Sequence, residues 1–90
     1  MLILRKIPSN YNDWLVCMIS TQLGHKIDNF DEIIKPNDQD FKASGLKSTS
    51  LLRITRLAVI EKSFFLGIIG NISSNRLRRI KTTLSEWIAQ

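Results

Sequence analysis

Residues 45–90 read GLKSTSLLRITRLAVIEKSFFLGIIGNISSNRLRRIKTTLSEWIAQ, and this stretch decides the fold. After a turn glycine, apolar and polar side chains alternate around Arg53 within residues 50–60, which is typical of a strand with one face against a core. Arg53 is therefore predicted to point away from that core. Residues 64–69 form a second apolar run, and the short link at residues 61–63 predicts that the two runs pair as an antiparallel hairpin.

The pattern after this hairpin predicts one amphipathic helix that runs to the C-terminus. Ser73 or Ser74 can cap it, because a serine oxygen accepts a backbone N–H that the first turn leaves free. Apolar residues at helical spacing form one stripe: Leu77, Ile80, Leu84, Trp87 and Ile88. Four cations lie in the first half, where the helix dipole disfavours them: Arg76, Arg78, Arg79 and Lys81. We interpret these cations as solvated, with a role in binding as the alternative.

The first half of the chain supplies three more strand-like segments. Residues 2–7 form a short apolar run that Pro8 ends, since proline lacks the N–H that a central strand needs. Residues 14–19 are apolar throughout, which predicts a central strand buried on both faces. Residues 30–34 are predicted as an edge strand between polar loops. The whole pattern predicts the α+β class, with five or so strands in a small, strongly bent sheet or barrel and a C-terminal helix.

The charge of the chain is unevenly distributed. Its 90 residues are 43% hydrophobic, enough for one domain with a modest core, and the net charge is +5. Residues 1–45 contain five Lys/Arg and six Asp/Glu, whereas residues 46–90 contain eight and two. This excess favours a polyanionic partner, nucleic acid rather than membrane, because no long helix joins a broad apolar face to a dense basic one. A basic domain without such a partner is the alternative.

Several functions find no support in the sequence. Cys17 is the only cysteine and lies in the apolar run, where a thiol is usually a small core hydrophobe, so no disulfide forms within the chain. His25 and the acids Asp28, Asp31 and Glu32 lack metal-site spacing, and the four scattered glycines form no phosphate loop. We therefore expect no metal and no other cofactor. Without a signal-peptide pattern or a membrane-spanning run, we expect a cytoplasmic protein with no membrane partner.

Three polar residues directly follow the predicted central strand: Ser20, Thr21 and Gln22. Hydroxyl and amide groups at the end of a strand can contact phosphates or base edges, and Arg53 or Arg56 could neutralise a phosphate. The alternative is that these residues only end the strand, and composition and spacing alone favour it. His25 could act as a general acid or base on a phosphodiester, or could simply be a solvated loop residue.

The order and spacing of these segments resemble PemK/MazF-type toxins over nearly the whole chain, from about residue 2 to residue 87. The resemblance lies mainly in residues 50–63 (SLLRITRLAVIEKS) and in residues 69–73 (IGNIS) before the helix. Residues 45–46 and residues 19–22 (ISTQ) also resemble the family. No single motif among them is as specific as a zinc-ligand pattern.

The resemblance implies a small SH3-like β-barrel of the CcdB/PemK type with a C-terminal helix. It further implies a homodimer that cleaves single-stranded RNA without a metal and is neutralised by a cognate antitoxin. In such toxins the hydroxyl residue of an I-[ST]-x-Q segment and an arginine of an Arg-Pro pair are the proposed catalytic groups, and the hydroxyl corresponds to Ser20.

The Arg-Pro pair of the family stands just before the strand that residues 2–4 represent, and this chain does not contain it. We therefore expect one domain, residues 1–90, whose first strand is missing and whose activity is weakened or lost. Several residues are the candidates for RNA binding: Arg5, Thr21, Gln22, Arg53 and Arg56. Any of the three arginines could replace the missing one.

Three functions remain open at this stage. The first is a toxin-type endoribonuclease. The second is a module of the same fold that binds RNA or an antitoxin without cleaving. The third, by analogy of fold alone, is a toxin directed at DNA gyrase, as CcdB is. The polar triplet after the central strand, together with Arg53, favours RNA.

Overall fold

Four antiparallel strands form one sheet in the computed structural model, which describes residues 1–64 and 70–90. The strands follow the chain in this order: β1 (Leu2–Lys6), β2 (Asp13–Ser20), β3 (Glu32–Ile34) and β4 (Ser50–Glu61). They lie side by side in the order β1-β2-β4-β3. A short helix α1 (Phe41–Ser44) precedes β4, and the C-terminal helix α2 (Ser74–Ile88) packs on the sheet. The α+β class is confirmed, with a curled half-barrel and a C-terminal helix.

The predicted strands agree with these elements for most of the chain. The second strand lies inside the sheet and the third at its edge, as expected. The predicted hairpin partner at residues 64–69 falls mostly on residues 65–69, which lie outside the described residues. The link before it, Lys62–Phe64, forms a 3-10 turn. The sequence patterns did not predict the short helix α1, which Gly45 ends with a positive φ of 76°.

Two irregularities bend the sheet. The pairing of β1 with β2 shifts between Ile3 and Arg5. The pairing of β2 with β4 shifts more strongly, because Cys17 pairs with Leu57 but its neighbour Met18 pairs with Arg53. The intervening residues 54–56 of β4 therefore have no partner in β2. Such a bulge increases the local twist and bends the strand.

Asp31 holds this bulge in place. Its carboxylate is 4% exposed and accepts a hydrogen bond of 3.1 Å from the backbone N–H of Thr55. The hydroxyl of Thr55 and the backbone N–H of Ile27 donate to the same carboxylate at 3.2 and 3.0 Å. A buried carboxylate is tolerated when its oxygens accept several hydrogen bonds. Asp31 therefore ties the bulge of β4 to the loop before β3.

The hydrophobic core lies between the sheet and α2. It contains residues from all four strands and from the helix: Leu2, Leu4, Cys17, Ile34, Leu52, Ile54, Ile80 and Leu84. Val16 and Cys17 are adjacent in β2 and both fully buried, so the centre of this strand is covered on both faces, as predicted. Burial raises the pKa of the Cys17 thiol to about 12. The thiol is therefore protonated and serves as a core hydrophobe.

Helix α2 begins as the sequence predicts. Ser73 is its N-cap, and the side chain of Ser73 accepts a hydrogen bond of 3.1 Å from the backbone N–H of Arg76. The segment before the cap packs closely on α1, because Asn71 donates its N–H to the Ala43 carbonyl at 2.9 Å. A Cβ at Gly70 would collide with the backbone carbonyl of Ser44. Glycine is therefore required at that position.

The interpretation of the four helix cations as solvated is wrong for Arg76. Arg76 is buried and donates to Asp40, Glu32 and Asp38. Arg79, although exposed, donates to the same Glu32 at 2.7 Å. Cations in the first turns of a helix interact unfavourably with the helix dipole. The carboxylates that Arg76 and Arg79 bind compensate this cost, which explains why the helix tolerates the two arginines. The other two, Arg78 and Lys81, are exposed as predicted.

The apolar stripe of α2 is buried only in part. Ile80 and Leu84 lie in the core, whereas Trp87 and Ile88 are 54% and 64% exposed. Trp87 keeps one contact with the loop before β3, an edge-on stack on Phe30 with ring centroids 5.9 Å apart. The C-terminal turn of the helix therefore extends past the covered part of the sheet. No helix within residues 1–64 and 70–90 is long and apolar enough to cross a membrane.

Candidate functional site

Ser20 and Arg53 lie on the same face of the sheet. Ser20 ends β2 and pairs with Leu51 of β4, whereas Arg53 pairs with Met18. Residues directly opposite each other, and residues two apart on one strand, share a face of a sheet. The two residues are therefore diagonal neighbours, about 7–8 Å apart, within reach of an arginine side chain. They lie on the side opposite the core residue Leu52, as the alternating pattern predicts.

Arg53 carries a buried hydrogen-bond donor that finds no acceptor in the described part of the chain. Its Nε is buried and has no hydrogen-bond partner among residues 1–64 and 70–90. The guanidinium also makes no ion pair with any carboxylate in this part of the chain. Leaving a buried donor unpaired costs about 1–3 kcal/mol. Because this Nε is shielded from solvent, an anionic acceptor from outside the protein would pair with the exposed part of the Arg53 side chain, which as a whole is half-buried.

The hydroxyl of Ser20 is fixed by the turn that follows it. The backbone N–H of Gln22 donates to the Ser20 Oγ at 3.0 Å. Because this bond uses a lone pair of the oxygen, the hydroxyl hydrogen stays available to an acceptor. Thr21 and Gln22 are exposed just beyond the strand. The polar triplet thus presents two hydroxyls and one amide at the end of β2.

His25 lies in the next turn. The 3-10 turn Leu23–His25 follows directly, and the backbone N–H of His25 donates to the Gln22 carbonyl at 3.1 Å. The imidazole is exposed. It contributes to no group of three or more potential metal ligands, since the described residues contain no such group.

The other two candidate arginines lie apart from this pair. Arg56 is exposed within the bulge of β4. Arg5 pairs with Leu15, which lies five residues along β2 from Ser20, or about 17 Å at the rise of an extended strand. The structure therefore brings Arg53 close to Ser20 and leaves Arg5 at the opposite end of the strand, beside α2.

Sequence reasoning missed the two residues that position Arg53. Thr55 and Asp31 fix the backbone of the bulge that begins directly after Arg53. From the sequence, Asp31 is notable only as a potential metal ligand. The available signal was the pair Thr55-Arg56, where two polar residues interrupt the alternation of an otherwise regular strand.

Comparison with known proteins identifies the family of the chain. A family model described as PemK-like, MazF-like toxin of type II toxin-antitoxin system matches residues 1–88. Among curated proteins, none matches the sequence. Since the family match covers nearly all of the 90 residues, the chain belongs to the PemK-like, MazF-like toxins of type II toxin-antitoxin systems.

Proposed function

We propose that this chain is a metal-independent endoribonuclease that cleaves single-stranded RNA at the face carrying Ser20 and Arg53. Toxins of its family are generally endoribonucleases. The observation that carries the proposal is the position of the half-buried Arg53, which pairs with no carboxylate of residues 1–64 and 70–90, on the same face as the Ser20 hydroxyl. A phosphate of the RNA backbone would be the counterion of the Arg53 guanidinium.

The proposed reaction needs groups that stabilise negative charge. When a 2′-hydroxyl attacks the neighbouring phosphorus, charge develops on the phosphoryl oxygens. A fixed guanidinium and a hydroxyl donor stabilise that charge more in the transition state than in the bound substrate. Arg53 and Ser20 would take these two roles. Neither proline in the sequence follows an arginine, so the sequence contains no Arg-Pro pair. Arg53 is therefore the candidate for the role that the arginine of this pair has in the family.

The residues around this pair would hold the RNA strand. Thr21 and Gln22 are exposed at the end of β2, where they could contact the edges of unpaired bases. Arg56 is exposed in the bulge and would neutralise a flanking phosphate. Arg5, about 17 Å away along β2, would at most contact a distant phosphate of a longer strand.

Type II toxins act with partners, and the proposal includes these. The family pairs with antitoxins, and a cognate antitoxin laid over the Ser20–Arg53 face would block access of RNA. We propose that the chain forms a homodimer in the cytoplasm. Large apolar side chains that are 40–58% exposed support self-association: Leu57, Val59 and Trp87.

The test is incubation of the purified protein with mixed-sequence single-stranded RNA in EDTA. Cleavage should persist in EDTA and fall about 10²- to 10³-fold in Ser20→Ala, since that is the usual effect of losing one such donor. Ser20→Thr keeps a hydroxyl and should retain most activity. Cleavage that stops in EDTA, or that is unchanged in Ser20→Ala, would contradict the proposal.

Two other functions remain as outcomes of the same test. Salt-dependent RNA binding without cleavage would indicate a binding module, because phosphate contacts release counterions. Inhibition of gyrase with intact RNA would indicate a gyrase-directed toxin. The placement of Arg53 on the same face as the Ser20 hydroxyl provides the two groups that cleavage needs, which favours RNA cleavage over both.

A further inference from the structure

The face of the sheet that carries Ser20 and Arg53 continues to the other end of β2. Alternate residues of a strand share a face, so Trp14, six residues before Ser20, lies on this face as well. Lys6 of β1 pairs directly with Trp14 and therefore shares the face. Six residues of an extended strand span about 20 Å. The Trp14–Lys6 pair thus lies on the proposed RNA face, one strand length away from Ser20.

The indole ring of Trp14 is held in place. Its Nε1–H donates a hydrogen bond of 3.0 Å to the Oδ1 of Asn12. The Nζ of Lys6 lies 5.6 Å from the centroid of the ring, which is a cation–π contact. Trp14 is half-buried, so a part of its ring reaches solvent. A side chain that is already fixed loses little further freedom when a second ring stacks on it, which favours binding.

The two faces of the sheet differ in charge. By the strand register, the face with Ser20 carries Lys6 and Arg53 but no aspartate or glutamate of the four strands. The three acids of these strands lie on the opposite face, on which α2 packs: Asp13, Glu32 and Glu61. The Ser20 face is therefore complementary to a polyanion at both ends of β2.

The path between the two ends of β2 is low. Val16 and Ala58 pair with each other on this face, between Trp14 and Arg53. Val16 is fully buried and Ala58 is half-buried, and both side chains are short. A single strand of RNA can therefore lie along β2 and reach both ends. Sheet faces with exposed aromatic rings bind single-stranded RNA in the same way in RRM domains, where bases stack on the rings.

We infer that the Trp14–Lys6 pair is a second contact for the RNA strand that the proposed endoribonuclease cleaves. A base a few nucleotides from the scissile phosphate stacks on Trp14, and the ammonium of Lys6 pairs with a neighbouring phosphate. The cation–π contact of the exposed Lys6 is weak, so a base and a phosphate can replace it. The inference rests on the proposed function, because that function places the scissile phosphate at Ser20 and Arg53.

This contact has a specific consequence for the choice of substrate. Every base has a π-face, so stacking on Trp14 adds affinity without selecting a particular base. The affinity is gained only by an RNA long enough to reach from Ser20 to Trp14. The Trp14–Lys6 pair therefore selects substrates by length, whereas the residues at Ser20 act on the phosphate that is cleaved.

The test compares the cleavage kinetics of variants on one single-stranded RNA and on versions of it shortened from either end. Trp14→Leu keeps apolar volume but cannot stack, and Trp14→Phe restores an aromatic ring. Lys6→Gln removes the cation. Its matched control is Lys81→Gln, which removes an exposed cation from α2, on the other side of the sheet. Circular dichroism of each variant verifies the fold.

For the long RNA, we expect Trp14→Leu to raise KM about tenfold and Lys6→Gln to raise it about threefold, with kcat within about twofold. Trp14→Phe and Lys81→Gln should stay within about twofold of the unchanged protein in KM. For an RNA too short to reach Trp14, all variants should have the same KM. A loss of kcat in Trp14→Leu at every length would indicate a structural role, and an unchanged KM at every length would show that RNA does not touch the ring. Either result would overturn the inference.

Binding of an RNA analogue with methylated 2′-hydroxyls, which cannot be cleaved, separates this inference from the proposed function. Trp87→Phe leaves Trp14 as the only tryptophan of the chain, so its fluorescence reports on stacking directly. Quenching by the analogue, with a Kd that Lys6→Gln weakens, would support the inferred contact even if the protein cleaved no RNA, and only the endoribonuclease proposal would then fail. Cleavage without quenching would overturn the inference and leave the proposed function standing. Quenching by polyglutamate but not by the analogue would also overturn it, because the pair would then bind an acidic protein.

Discussion

Replacement of Arg76 by methionine should destabilise the fold more than any other change of a single surface or helix cation. The side chain of Arg76 is 10% exposed and donates five hydrogen bonds. Its Nε lies 2.8 Å from the Asp40 carboxylate, which is itself 8% exposed. Other donors reach Glu32 at 3.2 Å, the Ile33 carbonyl at 3.2 Å and Asp38 at 3.1 Å. Helix α2 is thereby tied to β3 and to the segment between β3 and α1.

The expected loss follows from what the substitution leaves behind. Methionine removes the cation but keeps a similar apolar volume, so Asp40 remains buried and loses its main partner. Removing one partner of a buried ion pair typically costs about 3–5 kcal/mol, which is a large part of the stability of a small domain. The backbone N–H of Ser73 still donates to Asp40 at 2.9 Å and offsets a part of that cost. We therefore expect a loss near the lower end of the range, about 3 kcal/mol.

The assay is urea unfolding followed by circular dichroism, with Arg78→Met as the control. Arg78 is exposed on the same helix and makes no ion pair within the described chain, so its replacement should change the free energy of unfolding by less than about 0.5 kcal/mol. The double variant Arg76→Met with Asp40→Asn should lose less than the sum of the two single variants, since the uncompensated carboxylate is gone. A loss below about 1 kcal/mol in Arg76→Met, or an equal loss in Arg78→Met, would refute this reasoning.

Three further predictions concern acid stability, the bulge and the cysteine. The hydrogen bond from Arg76 lowers the pKa of Asp40 below its ordinary value of 3.8, so the stability that Asp40 contributes is present above that value and is lost as the pH falls below it. Unfolding curves between about pH 6 and pH 2 should therefore show a smaller loss of stability on acidification in Asp40→Asn than in the unchanged protein. An equal loss in the two proteins would contradict the prediction. Asp31→Asn should weaken the hydrogen bonds of the bulge, and so lower the free energy of unfolding by about 1–3 kcal/mol and slow RNA cleavage. An unchanged free energy of unfolding together with an unchanged cleavage rate would show that Asp31 does not hold the bulge. Cys17, buried and with a pKa raised to about 12, should react with a thiol reagent at pH 8 only after unfolding, and rapid reaction of the folded protein would contradict its place in the core.

The local elements could be predicted because their signals lie within a few residues. The alternation around Arg53 gave the face of that side chain, and the serine before α2 gave the helix start. The uninterrupted apolar run of residues 14–19 indicated the central strand. Each of these patterns depends on the period of one strand or the cap of one helix, which neighbouring residues determine.

The remaining features depend on residues far apart in the sequence. Arg76 binds Asp40 and Glu32, which precede it by 36 and 44 residues, and no local pattern marks such a pair. The bulge of β4 depends on Asp31, which lies 24 residues before Thr55. Without the strand register, Arg5, Arg53 and Arg56 were equal candidates for the proposed RNA site. The register separates them, because it places Arg53 diagonally across from Ser20 and Arg5 at the other end of β2.

The most direct test of the central claim is a double-mutant cycle of RNA cleavage rates with Ser20→Ala and Arg53→Met. If both side chains stabilise the same phosphoryl group, each single variant should lose about 10²- to 10³-fold in rate, and the double variant should lose clearly less than the product of the two. Losses that multiply would contradict joint action on one phosphate. Cleavage that neither substitution slows would contradict the account of this face as the site of the reaction.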